Sequence, residues 1–129
     1  MAHFNAPSWR TANFGDGTAR VAWTSALDPG EFKAYTIDCS QELGSALNQI
    51  EAVSLVPSGL AVLAGLVLGE ITYDRTHITV WLSIDPASRL RPNWDGAGER
   101  HTITCTIDVT DGQRFERDVS LQIKQLGQT

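Results

Sequence analysis

Chemically active side chains are scarce in this sequence. It holds two cysteines, three histidines and one methionine in 129 residues. His3, His77 and His101 are scattered singly, without the paired i, i+4 spacing of a helical zinc site. Neither Gly-x-Ser-x-Gly nor His-Glu-x-x-His occurs, which removes the nucleophile elbow and the zinc-protease helix from consideration. Residues 93–99 gather oxygen-bearing side chains and two glycines. They lack the ligand spacing of a calcium loop and the lysine of a phosphate-cradling loop, so they read as a turn. Carboxylates that can meet across strands, such as Asp108 with Glu116 or Asp118, read as solvated faces. The expectation is a chain with no catalytic residues, no metal and no cofactor: not an enzyme.

Positive charge is also short. Ten Lys and Arg stand against fifteen Asp and Glu, a net charge of −5. That balance argues against nucleic acid and against anionic membrane surfaces, and it suits a partner with a basic patch. The longest apolar run, Leu60–Leu68, is nine residues, whereas a membrane-spanning helix needs roughly 20. The first residues have neither a basic region nor an apolar core, so no signal peptide is expected, and synthesis and folding are expected in the cytoplasm. Cys39 and Cys105 both fall on inward strand positions. They read either as an inter-sheet disulfide or as buried thiols, and a reducing compartment favours the thiols.

What is present is period-two apolarity. In residues 33–39, Tyr35, Ile37 and Cys39 share one face. Residues 40–47 allow at most a helical turn. Asn48–Val56 reads as a strand ended by Pro57-Ser58-Gly59. Leu60–Leu66 and Gly69–Tyr73 read as two more short strands, and His77–Ile84 alternates with Ile78, Val80, Leu82 and Ile84 on one face. Residues 85–99 read as a loop. His101–Val109 places Ile103, Cys105, Ile107 and Val109 inward, and Phe115, Val119, Leu121 and Ile123 follow on the next strand. Arg117 shares their parity and is expected near an edge or with its charge led out to water.

Parity also constrains the turn between these last two strands. Inward positions are odd-numbered on both, so opposed residues sum to an even number and the loop holds an odd count. A three-residue loop, Thr110-Asp111-Gly112, is predicted, with Gly112 left-handed.

Together these signals predict an all-β fold, an immunoglobulin-like β-sandwich of about seven strands, with a closed barrel as the alternative. The predicted organisation is an extended N-terminal arm over residues 1–31, a β-sandwich over 32–126 and a tail over 127–129. Gly and Pro punctuate the arm, and only 19–24 resembles a strand. Its isolated aromatics argue against a frayed terminus. Aromatics and arginines outside the patterned strands are the candidate partner-contact residues: Phe4, Trp9, Arg10, Phe14, Arg20, Trp23, Arg89, Arg91 and Trp94. Each Trp could equally fold back on the domain as a lid.

The stretch from Leu27 to Leu43, with Asp28-Pro29-Gly30 and Tyr35-Thr36-Ile37-Asp38-Cys39-Ser40, resembles the start of tailed-bacteriophage fiber–tail adaptor proteins. Val56-Pro57-Ser58-Gly59-Leu60, Thr79-Val80-Trp81-Leu82-Ser83 and Thr110-Asp111-Gly112-Gln113-Arg114 follow in the same order, so the resemblance spans roughly 27–124. Cys39 stands where that family has an aromatic, and Ile84-Asp85-Pro86 where it has paired glycines. The resemblance implies a virion structural protein that couples tail fibers to the tail or neck. It further implies synthesis in the host cytoplasm, assembly in many symmetric copies, and other tail, neck and fiber proteins as partners. Another virion role, as a neck or head decoration protein, is the nearest alternative. A carbohydrate-binding module is a third reading, and it requires Trp81 and Trp94 on one exposed face.

Overall fold

A computed structural model describes residues 3–15, 20–44 and 47–126, with the side chain of Arg20 left out. Ala19 and the tail 127–129 lie outside the described residues. The fold is all-β. Its strands are β1 (Thr11–Asn13), β2 (Arg20–Ala22), β3 (Phe32–Asp38), β4 (Ile50–Pro57), β5 (Leu66–Tyr73), β6 (His77–Ile84), β7 (Glu99–Val109) and β8 (Arg114–Ile123). Two short helices, α1 (Ser40–Leu43) and α2 (Gly59–Ala64), interrupt them. One four-stranded sheet has the order β1-β3-β6-β5 and the other β2-β8-β7-β4. Both are mixed: β1 runs parallel to β3 and β2 parallel to β8, while the remaining pairs are antiparallel.

The alternating strands behave as their parity predicts. Tyr35, Ile37 and Cys39 from the first sheet and Ile103, Cys105, Ile107 and Val109 from the second join one cluster of buried side chains. The β7–β8 turn is the three-residue loop 110–112. Val109 N donates to Gln113 O at 3.0 Å, Gly112 N donates to Val109 O at 3.0 Å, and Gly112 has φ 92°. Arg117, at the odd position, is half-buried. Its guanidinium donates to Glu42 of α1 and lies 5.9 Å from the Phe115 ring centroid. Cys39 and Cys105 are both unpaired and buried. Burial raises both thiols, that of Cys105 to about 12.

Two expectations need correction. Of the predicted strand 60–66, residues 60–64 lie in the helix α2 and only Leu66 is strand, because the ends of this segment favour a helix. Ser58 Oγ accepts from Ala61 N at 3.1 Å as an N-cap, and Gly65, left-handed at φ 107°, closes the other end. Ala61 and Ala64 are buried at i, i+3, while Leu60, Val62 and Leu63 are exposed. The glycine at 69 does not divide β5 but marks a bulge between Leu68 and Ile71.

The second correction concerns the arm. The described residues before Phe32 are part of the domain. β1 and β2 cap one edge of each sheet, and Leu27 N continues the β2 pairing by donating to Gln122 O at 2.9 Å. Phe14, Trp23 and Leu27 lie in the core. Trp23 Nε1 donates to Thr36 O at 2.8 Å, and its ring meets that of Tyr35 at 5.1 Å. A Trp that buries its ring and satisfies its N–H inside its own domain has no surface left for a neighbour.

Candidate interaction surfaces

Residues 3–6 lie as a strap across the outer face of the first sheet. Ala6 N donates to Thr36 Oγ1 of β3 at 2.8 Å, Thr79 Oγ1 of β6 donates to Phe4 O at 2.8 Å, and His3 Nδ1 sits 3.0 Å from Thr72 Oγ1 of β5. Thr36 and Thr79 hydroxyls are 2.8 Å apart. Since the Thr79 proton goes to Phe4 O, the Thr36 proton goes to Thr79, and one relay runs from the Ala6 N–H to the Phe4 carbonyl. Both threonines are buried, so without the strap this outer face would leave polar groups half-satisfied.

The strap starts beside a charged corner. His3 Nε2 is 3.5 Å from Asp74 Oδ2, and His77 Nε2 is 3.4 Å from Asp38 Oδ2. Burial raises the Asp74 pKa, but hydrogen bonds from the Thr76 and His77 backbone and the nearby His3 and His77 outweigh it, and the net shift is downward.

Beside the strap stands an aromatic group. Phe32 stacks on Trp81 at 4.9 Å and 19°, and Phe4 meets Trp81 edge-on at 5.6 Å. Gly69 on β5 makes room for it: a Cβ there would come 3.3 Å from Trp81 Cβ and 3.6 Å from Phe32 Cε1. Phe32 is 62% exposed, and Trp9, in a short 3-10 turn before β1, is 61% exposed. Phe32 was absent from the predicted contacts although its parity, opposite to Tyr35 and Ile37, marks it as outward.

The predicted contact residues therefore divide. Phe4 and Trp9 are on the surface. Arg10, Arg89 and Arg91 spend one donor each on a carbonyl of their own domain: Ala34 at 2.9 Å, Ile84 at 3.2 Å and Leu63 at 3.1 Å. The Arg20 side chain lies outside the described residues. Phe14, Trp23 and Trp94 are corrected to core positions. Trp94 plugs the end of the domain, its Nε1 donating to Ser88 O at 2.8 Å while Gln125 N donates to its carbonyl at 2.9 Å. Its burial also removes the exposed Trp81–Trp94 platform that the carbohydrate reading requires.

A second apolar surface was missed. Leu60 and Leu63 on α2 are 74% and 73% exposed, and Leu90 in the neighbouring loop is 93% exposed. Their run of leucines reads as core until the helix caps are recognised. An open hollow of about 700 Å³ lies at the opposite end, lined by Ser40, Gln41, Leu43, Asn48, Asp74 and Thr76. Among the described residues no group of three or more His, Cys, Asp or Glu is placed to hold a metal ion, and no helix is long and apolar enough to cross a membrane.

No protein-family model matches the chain, and no curated protein matches it.

Proposed function

We propose that this chain is a bacteriophage virion structural protein, an adaptor that couples tail fibers to the tail or neck by protein–protein contacts and performs no catalysis. The observation that carries this reading is the aromatic group of exposed Phe4 and Phe32 on half-buried Trp81, together with exposed Trp9, on an otherwise acidic chain. Aromatic anchors of this kind dominate protein interfaces. The resemblance over 27–124 supplies the identity of the assembly. We propose an immunoglobulin-like sandwich as its frame. The sheet orders β1-β3-β6-β5 and β2-β8-β7-β4 match the A-B-E-D and A′-G-F-C arrangement of such domains, and the parallel β1–β3 pair departs from it.

In a symmetric tail, many copies of a modest contact add up through avidity. Here the contact is a rigid face held by the strap, rather than an arm that orders on a neighbour. The test is incorporation into particles. Phe32→Ala and Trp81→Ala chains fold normally but are lost from purified tails, and imaging of the parent particle places the wild-type chain between tail and fiber. Density on the head shell would favour the decoration role. Full incorporation of both variants would remove the aromatic face from the account.

A further inference from the structure

β4 and β5 are the long edges of the two sheets, and α2 joins them along one side of the molecule. No pairing connects them, although Tyr73 Oη donates to Glu51 O across the gap at 2.6 Å. Hydrogen-bond alternation fixes where the β4 backbone points. Ser58 N donates to Thr102 O at 2.9 Å, so Val56 and Ser54, two and four residues back, also bond to β7. The N–H and C=O of Val53 and Leu55 therefore face away from β7, at the free edge.

The two long edges are not equally open. The β5 bulge falls mid-strand, a device that blunts an edge. The β4 irregularity lies between Ile50 and Ala52, at its start, and leaves 52–56 regular. The Val53 and Leu55 side chains pack against the core yet stay half-exposed, so the core is incompletely covered there. Val56, outward on the same strand, and Leu60, just beyond it on α2, add exposed apolar surface. Residues 50–74 carry Glu51, Glu70 and Asp74 and no Lys, Arg or His. Asp108 on β7 stands opposite Ala52 but is held by Arg114 Nε at 2.6 Å, so the carboxylate open at this edge is that of Glu51. The usual protection of a long edge by lysine is missing.

We propose that the free edge of β4 receives an extended segment of another protein as a fifth strand of its sheet. That segment carries apolar side chains at alternate positions and Lys or Arg at its flanks. Main-chain bonds to Val53 and Leu55 supply affinity, the half-covered core takes the inward side chains, and the exposed Glu51 selects the basic flanks. A second copy of this chain would set its acidic segment against itself at a net charge of −5 each. The proposal goes beyond the virion reading and does not rest on it.

The probe is a synthetic peptide of alternating Val and Thr with Lys at both ends, compared with the same peptide ending in Glu. Both are added to the full chain, and amide hydrogen exchange is followed by NMR. The Lys peptide slows exchange at Val53 and Leu55 by about tenfold or more. The Glu peptide binds more weakly, and Glu51→Lys weakens binding of the Lys peptide about fivefold. Leu55→Pro removes an outward N–H, keeps the bonds to β7 and abolishes protection at Val53. Should that variant fail to fold, Glu51→Lys, on an exposed side chain, still decides. No binding, equal binding of the two peptides, or protection that bypasses Val53 and Leu55 would overturn the proposal. Protection that grows with protein concentration and needs no peptide would do so too, assigning the edge to a second copy.

Discussion

The two sides of this molecule treat their sheet edges in opposite ways. On one side the edges are β1 and β2, three residues each, and the chain around them is tied down by Trp23, Phe14, Leu27 and the strap at residues 3–6. On the other side the edges are β4 and β5, eight residues each, joined by a helix whose leucines face outward. Short edges backed by buried aromatics leave little to pair with, whereas a long, regular, cation-free edge is a template. The difference teaches that exposed aromatics in a sequence do not by themselves locate an interface. The leader is rich in them and spends two, Phe14 and Trp23, on its own core.

The heaviest blow to the closed side is Trp23→Ala. It removes a buried ring and one donor to the Thr36 carbonyl, and urea denaturation should register a loss of about 3–5 kcal/mol. A variant that unfolds at the wild-type midpoint would mean the leader is detachable. Thr79→Val is the next largest. It takes the donor from Phe4 O and the acceptor from the Thr36 hydroxyl, and should cost about 1–3 kcal/mol. Loss of protection at the Ala6 amide would accompany it.

The interior between the two sides is sharpened by pH. Burial holds the Cys39 and Cys105 thiols neutral, with folded pKa values above those of the unfolded chain. Their contribution is intact below the unfolded thiol pKa of about 8.5 and is lost as pH rises above it. A titration of stability should therefore fall through the alkaline range. Cys39→Ala with Cys105→Ala should flatten that fall. The smallest effects belong to the open side: Leu60→Ala and Leu63→Ala should each shift stability by less than about 0.5 kcal/mol. A larger loss would show that the helix face is buried in solution.

The sequence was legible where a strand is long enough for its period to register and its pairing is local. The alternation of 101–109 and 115–123 gave both the faces and the odd-numbered loop, down to a left-handed Gly112. Tyr35, Ile37 and Cys39 announced their face in the same way. Residues 60–68 have no period, so only Ser58 and Gly65, read as helix caps, separate helix from buried strand. β1 is too short to alternate, and its partner β3 lies far away in sequence, so nothing local marks it as a strand, whereas β2 falls within the short run 19–24 that reads as one. Trp94 and Trp23 looked like surface anchors because they sit in irregular segments. Their hydrogen bonds to Ser88 O and Thr36 O, which make burial affordable, come from long-range folding. Of the outward-facing side chains, half-buried Trp81 and exposed Phe32 could be read from parity, while exposed Leu60, Leu63 and Leu90 could not.

Residue-resolved hydrogen exchange on the isolated chain weighs the two sides directly. The amides of Ala6, Phe14, Trp23 and Leu27, bonded to Thr36 Oγ1, Asp38 O, Ser120 O and Gln122 O, should exchange slowly, and those of Val53 and Leu55 quickly. Fast exchange throughout the leader together with slow exchange at Val53 and Leu55 would contradict the assignment of the closed and open sides.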